Sequence, residues 1–263
     1  MNCASSTTAM LPQTELNVAE SVEDTAPPAQ ATAVPPGGIA AYARKVLAIV
    51  GKDVAAEIRT KEMISAMVVF SLLIILIFNF AFDLRAENLN TVAPGVLWVS
   101  IAFAGMLGLS RSFILELDRG VLDGLLLTPV DRSAIYFGKM LGNVLFIGVV
   151  EVIILPVFVI LFNQSASALP LLVGVVVLGT IGFASVGTLF SAMAVHTRAR
   201  EVLLPIMLFP VVIPVMLSAV RLTSGILDRL PFEDVSHWLV LLIAFDAIFI
   251  AASFMLFEYV VEE

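Results

Sequence analysis

The chain has 263 residues, of which 60% are hydrophobic and only 14% charged, and its mean hydropathy is +1.03. Water-soluble domains average about 45–50% apolar and about 25% charged residues. A soluble enzyme and a nucleic-acid-binding module are therefore excluded, and a multi-spanning membrane protein is left. The net charge of −8 carries no partner signal, because Glu15, Glu20, Glu23 and Asp24 gather in a leading tail free of Lys and Arg. The single cysteine, Cys3, excludes an internal disulfide framework and a cysteine-built metal site.

Residues 1–40 are rich in Ala, Pro, Ser and Thr and contain Pro27-Pro28 and Pro35-Pro36-Gly37-Gly38. They have neither the basic start nor the apolar core of a secretory signal and read as a disordered cytoplasmic tail. Residues 42–62 then read as an amphipathic interfacial helix. Val46, Val50, Val54 and Ile58 recur every fourth residue, beside Leu47 and Ile49. On a wheel of about 100° per residue, Asp53 and Glu57 fall inside that apolar stripe. Two readings stand: the carboxylates pair with basic groups of the protein, or they reach past the stripe to water.

Residues 41–263 form one transmembrane domain. A membrane-crossing helix needs about 20 apolar residues, and six windows supply them: 64–82, 91–110, 140–162, 169–195, 202–220 and 238–257. Only helices satisfy the backbone of such runs in lipid, and the period-2 alternation of barrel strands is absent. The fold class is thus all-α, with six spans behind an amphipathic helix. With a cytoplasmic N-terminus, the inner segments hold Arg44, Lys45, Lys52, Arg59, Lys61, Arg111, Arg119, Arg132, Lys139, Arg198 and Arg200. The outer segments hold only Arg85, Arg221 and Arg229. That bias places both termini in the cytoplasm and leaves short outer loops near 83–90, 163–168 and 221–237.

Between spans two and three, residues 116–132 read ELDRGVLDGLLLTPVDR. Leu122, Leu125, Leu126 and Leu127 are too concentrated for a loop bathed in water. Gly120 and Gly124 allow turns at either side of a short helix, and Thr128-Pro129 ends it. An apolar face flanked by Glu116, Asp118, Arg119 and Asp123 suits a groove on a partner protein. Glu151 and Asp246 are the charged residues inside spans. A lipid-facing carboxylate at mid-membrane costs about 2.5–3.5 kcal/mol on an insertion scale, so both are expected to face the bundle interior. There they act as a gate or relay, or sit bonded to neighbouring hydroxyls. Pro205, Pro210 and Pro214 remove backbone donors and are expected to kink the fifth span. Gly138 and Gly142, and Gly179, Gly182, Ser185 and Gly187, permit close helix contacts. His237 beside Trp238 reads as a membrane-edge pair, and His196 as a loop residue.

Glu116-x-Asp118-Arg119-Gly120-x-Leu122-Asp123-x-Leu125-Leu126-Leu127-Thr128-Pro129, followed by Ile135 and Gly138-Lys139, resembles the segment after the second span of ABC-2-type permeases. Lys52-Asp53-x3-Glu57-x-Arg59-Thr60-x-Glu62, running into Ser65-Ala66-Met67, and Leu204-Pro205-x4-Pro210-x3-Pro214-Val215 narrow the resemblance. They point to heme exporter protein B, the permease of the cytochrome c maturation system. The resemblance covers roughly residues 43–258, while the acidic, Pro-rich tail departs from it.

The resemblance implies a bacterial inner-membrane permease subunit without catalytic residues or a resident cofactor or metal, with room for a second permease copy. It implies an ABC ATPase seated on residues 116–128, a heme-handling membrane protein and a periplasmic heme chaperone. The work done would be heme export or release of the heme-loaded chaperone. Lys52, Asp53, Glu57 and Arg59 would make the contacts of the interfacial helix. The chain has no G-x-x-x-x-G-K-[ST] phosphate loop, since Gly138-Lys139 lacks the earlier glycine and runs into Met140, so ATP would be hydrolysed on another chain. The rival readings are a permease for another lipid, glycan or drug, and an ion-coupled transporter using Glu151 and Asp246.

Overall fold

The computed structural model describes residues 38–83, 89–118, 132–194, 197 and 200–260. Among them every element is helical: α1 (Ile39–Thr60), α2 (Glu62–Asp83), α3 (Leu89–Asp118), α4 (Arg132–Leu161), α5 (Leu169–Ala194), α6 (Arg200–Leu227) and α7 (Phe232–Val260). A single 3-10 turn, Ala166–Ala168, precedes α5. Helices α2 to α7 are each long and apolar enough to cross a membrane. Each expected span matches one of them, 140–162 and 169–195 running one residue past the helix ends at Leu161 and Ala194, but several helices run further than hydropathy implies. Helix α4 begins at Arg132 rather than 140, and the expected loop 221–237 shrinks to residues 228–231, because Arg221 and Phe232 to His237 are helical. A hydropathy window stops at the first polar residues, whereas a helix stops where its backbone is capped.

The α1 end of the bundle holds the starts of α2, α4 and α6 and the last turns of α3, α5 and α7; the far end holds the opposite termini. Helix α3 is internal, with 67% of its apolar window buried, against 22% for α2 and for α7, which leave most of their surface to lipid. Helix α5 packs on α3, α4, α6 and α7, and α1 lies along α4.

Lipid tails are as apolar as leucine, so close van der Waals fit and hydrogen bonds hold these helices rather than water exclusion. The glycines of α5 serve this fit. A Cβ on Gly179 would strike the Trp98 ring, one on Gly187 the Leu109 side chain, and one on Gly182 the Asp246 carboxyl. Polar bonds join other helix pairs. Trp98 Nε1 donates to Thr223 Oγ1 at 3.0 Å, Asn143 Nδ2 to Thr188 Oγ1 at 3.0 Å, and Asn79 Nδ2 to the Leu161 carbonyl at 3.2 Å. Such bonds average about 0.6 kcal/mol each in a membrane protein, so they orient the helices more than they hold them.

Helix α6 continues through Pro205, Pro210 and Pro214 as one helix. Each proline deprives the carbonyl four residues earlier of its donor, and the Ser218 hydroxyl bonds the Pro214 carbonyl at 2.7 Å. At the far end, α4 and α6 stop in matching Schellman turns. Gln164 N–H bonds the Val159 carbonyl and Asn163 N–H that of Ile160; Leu230 N–H bonds the Gly225 carbonyl and Arg229 N–H that of Ile226. Asn163 (φ 50) and Arg229 (φ 54) occupy the left-handed position, which asparagine tolerates and arginine seldom takes.

Candidate functional site

The amphipathic helix α1 is seated by its two misplaced carboxylates, and both pair with the protein. Asp53 Oδ2 accepts from Lys139 Nζ at 2.8 Å, and its Oδ1 lies 3.3 Å from Lys52 Nζ. The Lys139 side chain is 1% exposed and that of Asp53 11%. A lysine so enclosed needs a counter-charge, because stripping an ion of water costs several kcal/mol. Asp53 thus sits in the apolar stripe because its partner is buried beneath it.

Glu57 has a different task. It is 5% exposed, and its Oε1 accepts the Ile64 N–H at 2.8 Å. Helix α2 begins at Glu62, so that N–H is one of the first-turn donors lacking an intrahelical partner. Capping is usually done by the residue just before the helix; here the previous helix reaches across to do it. Lys61 makes the elbow with a left-handed backbone (φ 55) and bonds its N–H to the Glu57 carbonyl at 2.6 Å. Backbone and side chain of one residue therefore set the angle between α1 and α2. Arg59 stays exposed and joins neither contact.

The bed for α1 is the first part of α4. An added Cβ on Gly138 would come within 2.8 Å of Ile49 Cβ, and one on Gly142 within 3.8 Å of Asp53 Oδ2. The glycine pair, unspecific as a motif, is thus a flat strip on which α1 rests. Tyr136 fixes the strip from below: its hydroxyl donates to the Ser185 carbonyl at 3.2 Å, and its ring meets Phe137 and Phe257. A small apolar cluster of Ile49, Ile135, Tyr136, Met140, Leu189 and Phe257 fills the space between α1, α4, α5 and α7. On the neighbouring rim, Arg111 of α3 faces Glu62 of α2 at 3.7 Å, both well exposed.

Of the expected partner-binding segment, Glu116 and Asp118 lie in the last turn of α3. Arg119, Gly120, Leu122, Asp123, Leu125, Leu126 and Thr128 lie outside the described residues, as do residues 1–37, His196 and Arg198. The clamp formed by Asp53 and Lys139 nonetheless stands near that segment in sequence, since α4 begins at Arg132.

Glu151 and Asp246 both face the interior but differ in company. The Thr180 hydroxyl donates to Glu151 Oε1, which matches the bonded-carboxyl alternative. Asp246, 6% exposed, has no hydrogen-bond partner on either oxygen among the described residues and rests against Gly182. Thr180 and Gly182 are two residues apart, so the acids lie on opposite sides of α5 at nearly one depth. Sequence reasoning does not reach Lys139 as the counter-charge of Asp53, nor Thr180, Tyr136 and Asn143 as interhelical bonds. A signal for Lys139 exists, since a lysine between Gly138 and Gly142 can only be covered by whatever lies on those glycines.

Comparison with known proteins agrees with this architecture. The CcmB protein family model matches residues 44–259. A heme exporter protein B from Pseudomonas aeruginosa is 27% identical over 186 residues, covering 71% of this chain and 83% of that protein. One from Rhodobacter capsulatus is 27% identical over 186 residues, 71% of this chain and 85% of that protein. One from Paracoccus denitrificans is 29% identical over 148 residues, 56% and 68% of the two chains. The family match takes in the elbow, the clamp and all six membrane-crossing helices, and the chain belongs to the CcmB protein family.

Proposed function

We propose that this chain is the permease subunit of an ABC transporter in cytochrome c maturation, coupling ATP hydrolysis on a separate subunit to heme export or release of a heme-loaded periplasmic chaperone. The observation that carries the reading is the family match across residues 44–259, with relatives named heme exporter protein B over most of their length. The setting is a bacterial inner membrane with the α1 end in the cytoplasm, consistent with the Lys and Arg bias.

In this reading the ATPase subunit seats on residues 116–128, between α3 and α4. Closure of the ATPase pushes on that segment, and α4 receives the displacement first because it leaves the segment directly. Lys139 and the Gly138–Gly142 strip carry it to α1, and Glu57 carries it round the elbow to α2. The bundle responds by shifting its population between two packings. A heme-handling membrane protein and a heme chaperone complete the assembly on the other side.

The test is deletion of the gene followed by staining of membranes for covalently bound heme. Loss of c-type cytochromes is expected; normal levels would overturn the heme-system reading. Reversing Asp118 and Asp123 to Lys should abolish co-purification of the ATPase, and retained co-purification would remove residues 116–128 as its seat.

A further inference from the structure

A cavity of about 580 Å³ opens at the far end of the bundle, between α5, α6 and α7, away from the seat of α1. Its size falls within the range of sites that hold organic ligands. Its polarity is graded. The polar lining groups are Gln164, Ser165 and Ser167, from the turn before α5, and Arg229, from the turn after α6. Below them the walls are hydrocarbon, down to Leu178, Leu222 and Leu239. Leu178 is nine residues into α5, so the floor lies about 13 Å below the rim at 1.5 Å per residue.

Such a space does not stay empty cheaply, because its walls would lose their van der Waals partners. Water does not suit it either, since a buried water needs two to four polar partners and the walls offer none below the rim. A hydrocarbon chain meets the requirement. The rim selects what the chain is attached to. Arg229 is exposed and makes no ion pair among the described residues. Three acids stand nearby without lining the cavity: Asp228, in the turn, accepts from the Ser224 hydroxyl of α6 at 3.2 Å, and Glu233 and Asp234 belong to the first turn of α7. The Ser165 and Ser167 hydroxyls bond each other at 2.8 Å and the Gln164 amide donates to the Phe162 carbonyl at 2.8 Å, so recognition of phosphate oxygens rests on the Arg229 guanidinium. Leu171, Leu230 and Phe232 line the same space yet remain largely exposed, giving a chain an apolar way in from the surrounding lipid.

We infer that the cavity holds one anionic phospholipid, an acyl chain between α5, α6 and α7 and its phosphate on Arg229. Lipid binding here depends on the membrane architecture and not on the heme-system reading, so either stands if the other falls.

Two substitutions test it without disturbing the fold. Gly174 lines the cavity, and a Cβ there meets nothing within 4 Å, so Gly174→Leu starts its side chain in open space. Arg229→Gly removes the cation and suits the left-handed backbone better than arginine does. The full-length protein would be reconstituted in nanodiscs of phosphatidylethanolamine and phosphatidylglycerol, re-extracted, and assayed for retained lipid by native mass spectrometry. Far-UV circular dichroism would check the fold of each variant. The wild type should keep one phosphatidylglycerol per chain, Gly174→Leu should retain about tenfold less, and Arg229→Gly should retain lipid with no preference between the two headgroups. Equal retention by wild type and Gly174→Leu, or a wild type indifferent to headgroup, would overturn the inference.

Discussion

The two ends of this bundle are built on opposite principles. At the α1 end, the seat of α1 covers its glycine and pairs its charge: Ile49 lies on Gly138, and Lys139 is enclosed with Asp53. At the far end, Gly174 faces open space and Arg229 is left without a counter-charge among the described residues. The first arrangement transmits displacement, because a packed interface with a buried ion pair has no slack to absorb it. The second leaves helix ends separated and accessible, as an end that must admit another molecule requires. The difference teaches that stiffness here is local, placed beside the segment proposed to receive the push.

The contrast between the ends breaks most visibly at Lys139. Lys139→Met should destabilise the protein by about 3 kcal/mol, the low end for a broken buried pair, because Asp53 loses its enclosed partner and keeps only the part-exposed Lys52; the readout is a fall in Tm in detergent. The exchange Asp53→Lys with Lys139→Asp should recover part of that loss. Next come two chemically identical changes at opposite ends. Gly138→Ala should cost about 1–3 kcal/mol by forcing α1 off α4, whereas Gly174→Ala should gain up to about 1 kcal/mol from helix propensity alone. A like response at both glycines would erase the contrast.

Smaller effects sharpen it. Glu57→Ala should cost about 1 kcal/mol by uncapping α2, and hydrogen exchange should quicken at the Ile64 amide while far-end amides stay unchanged. Glu57→Gln, which keeps an acceptor, should restore most of the protection. Arg111→Ala should leave Tm within error, because the Glu62 pair is exposed and such pairs contribute little.

Much of this architecture is legible in the amino-acid sequence. Long apolar windows fix six spans because lipid permits no other backbone solution, and the carboxylates misplaced in the α1 stripe leave a choice between a partner and water that the structure decides in favour of the protein. Which partner stays open, because Asp53 and Lys139 are 86 residues apart and nothing local joins them. Helix ends are misread where a cap, rather than polarity, stops the chain, as at Arg229. The far-end cavity has no signal in sequence, since it is a space between three helices and belongs to none of them.

That separation of 86 residues also sets an order of assembly. Glu57 and the elbow form as soon as α2 exists, but the seat of α1 is made of Gly138, Lys139 and Gly142 in α4. While the chain is being threaded into the membrane, α1 has nowhere to settle until the third crossing has arrived. Asp53 must therefore remain hydrated through the insertion of α2 and α3, and it leaves water only when Lys139 is beneath it. Burial of that one carboxylate thus marks the moment when the first half of the bundle is complete.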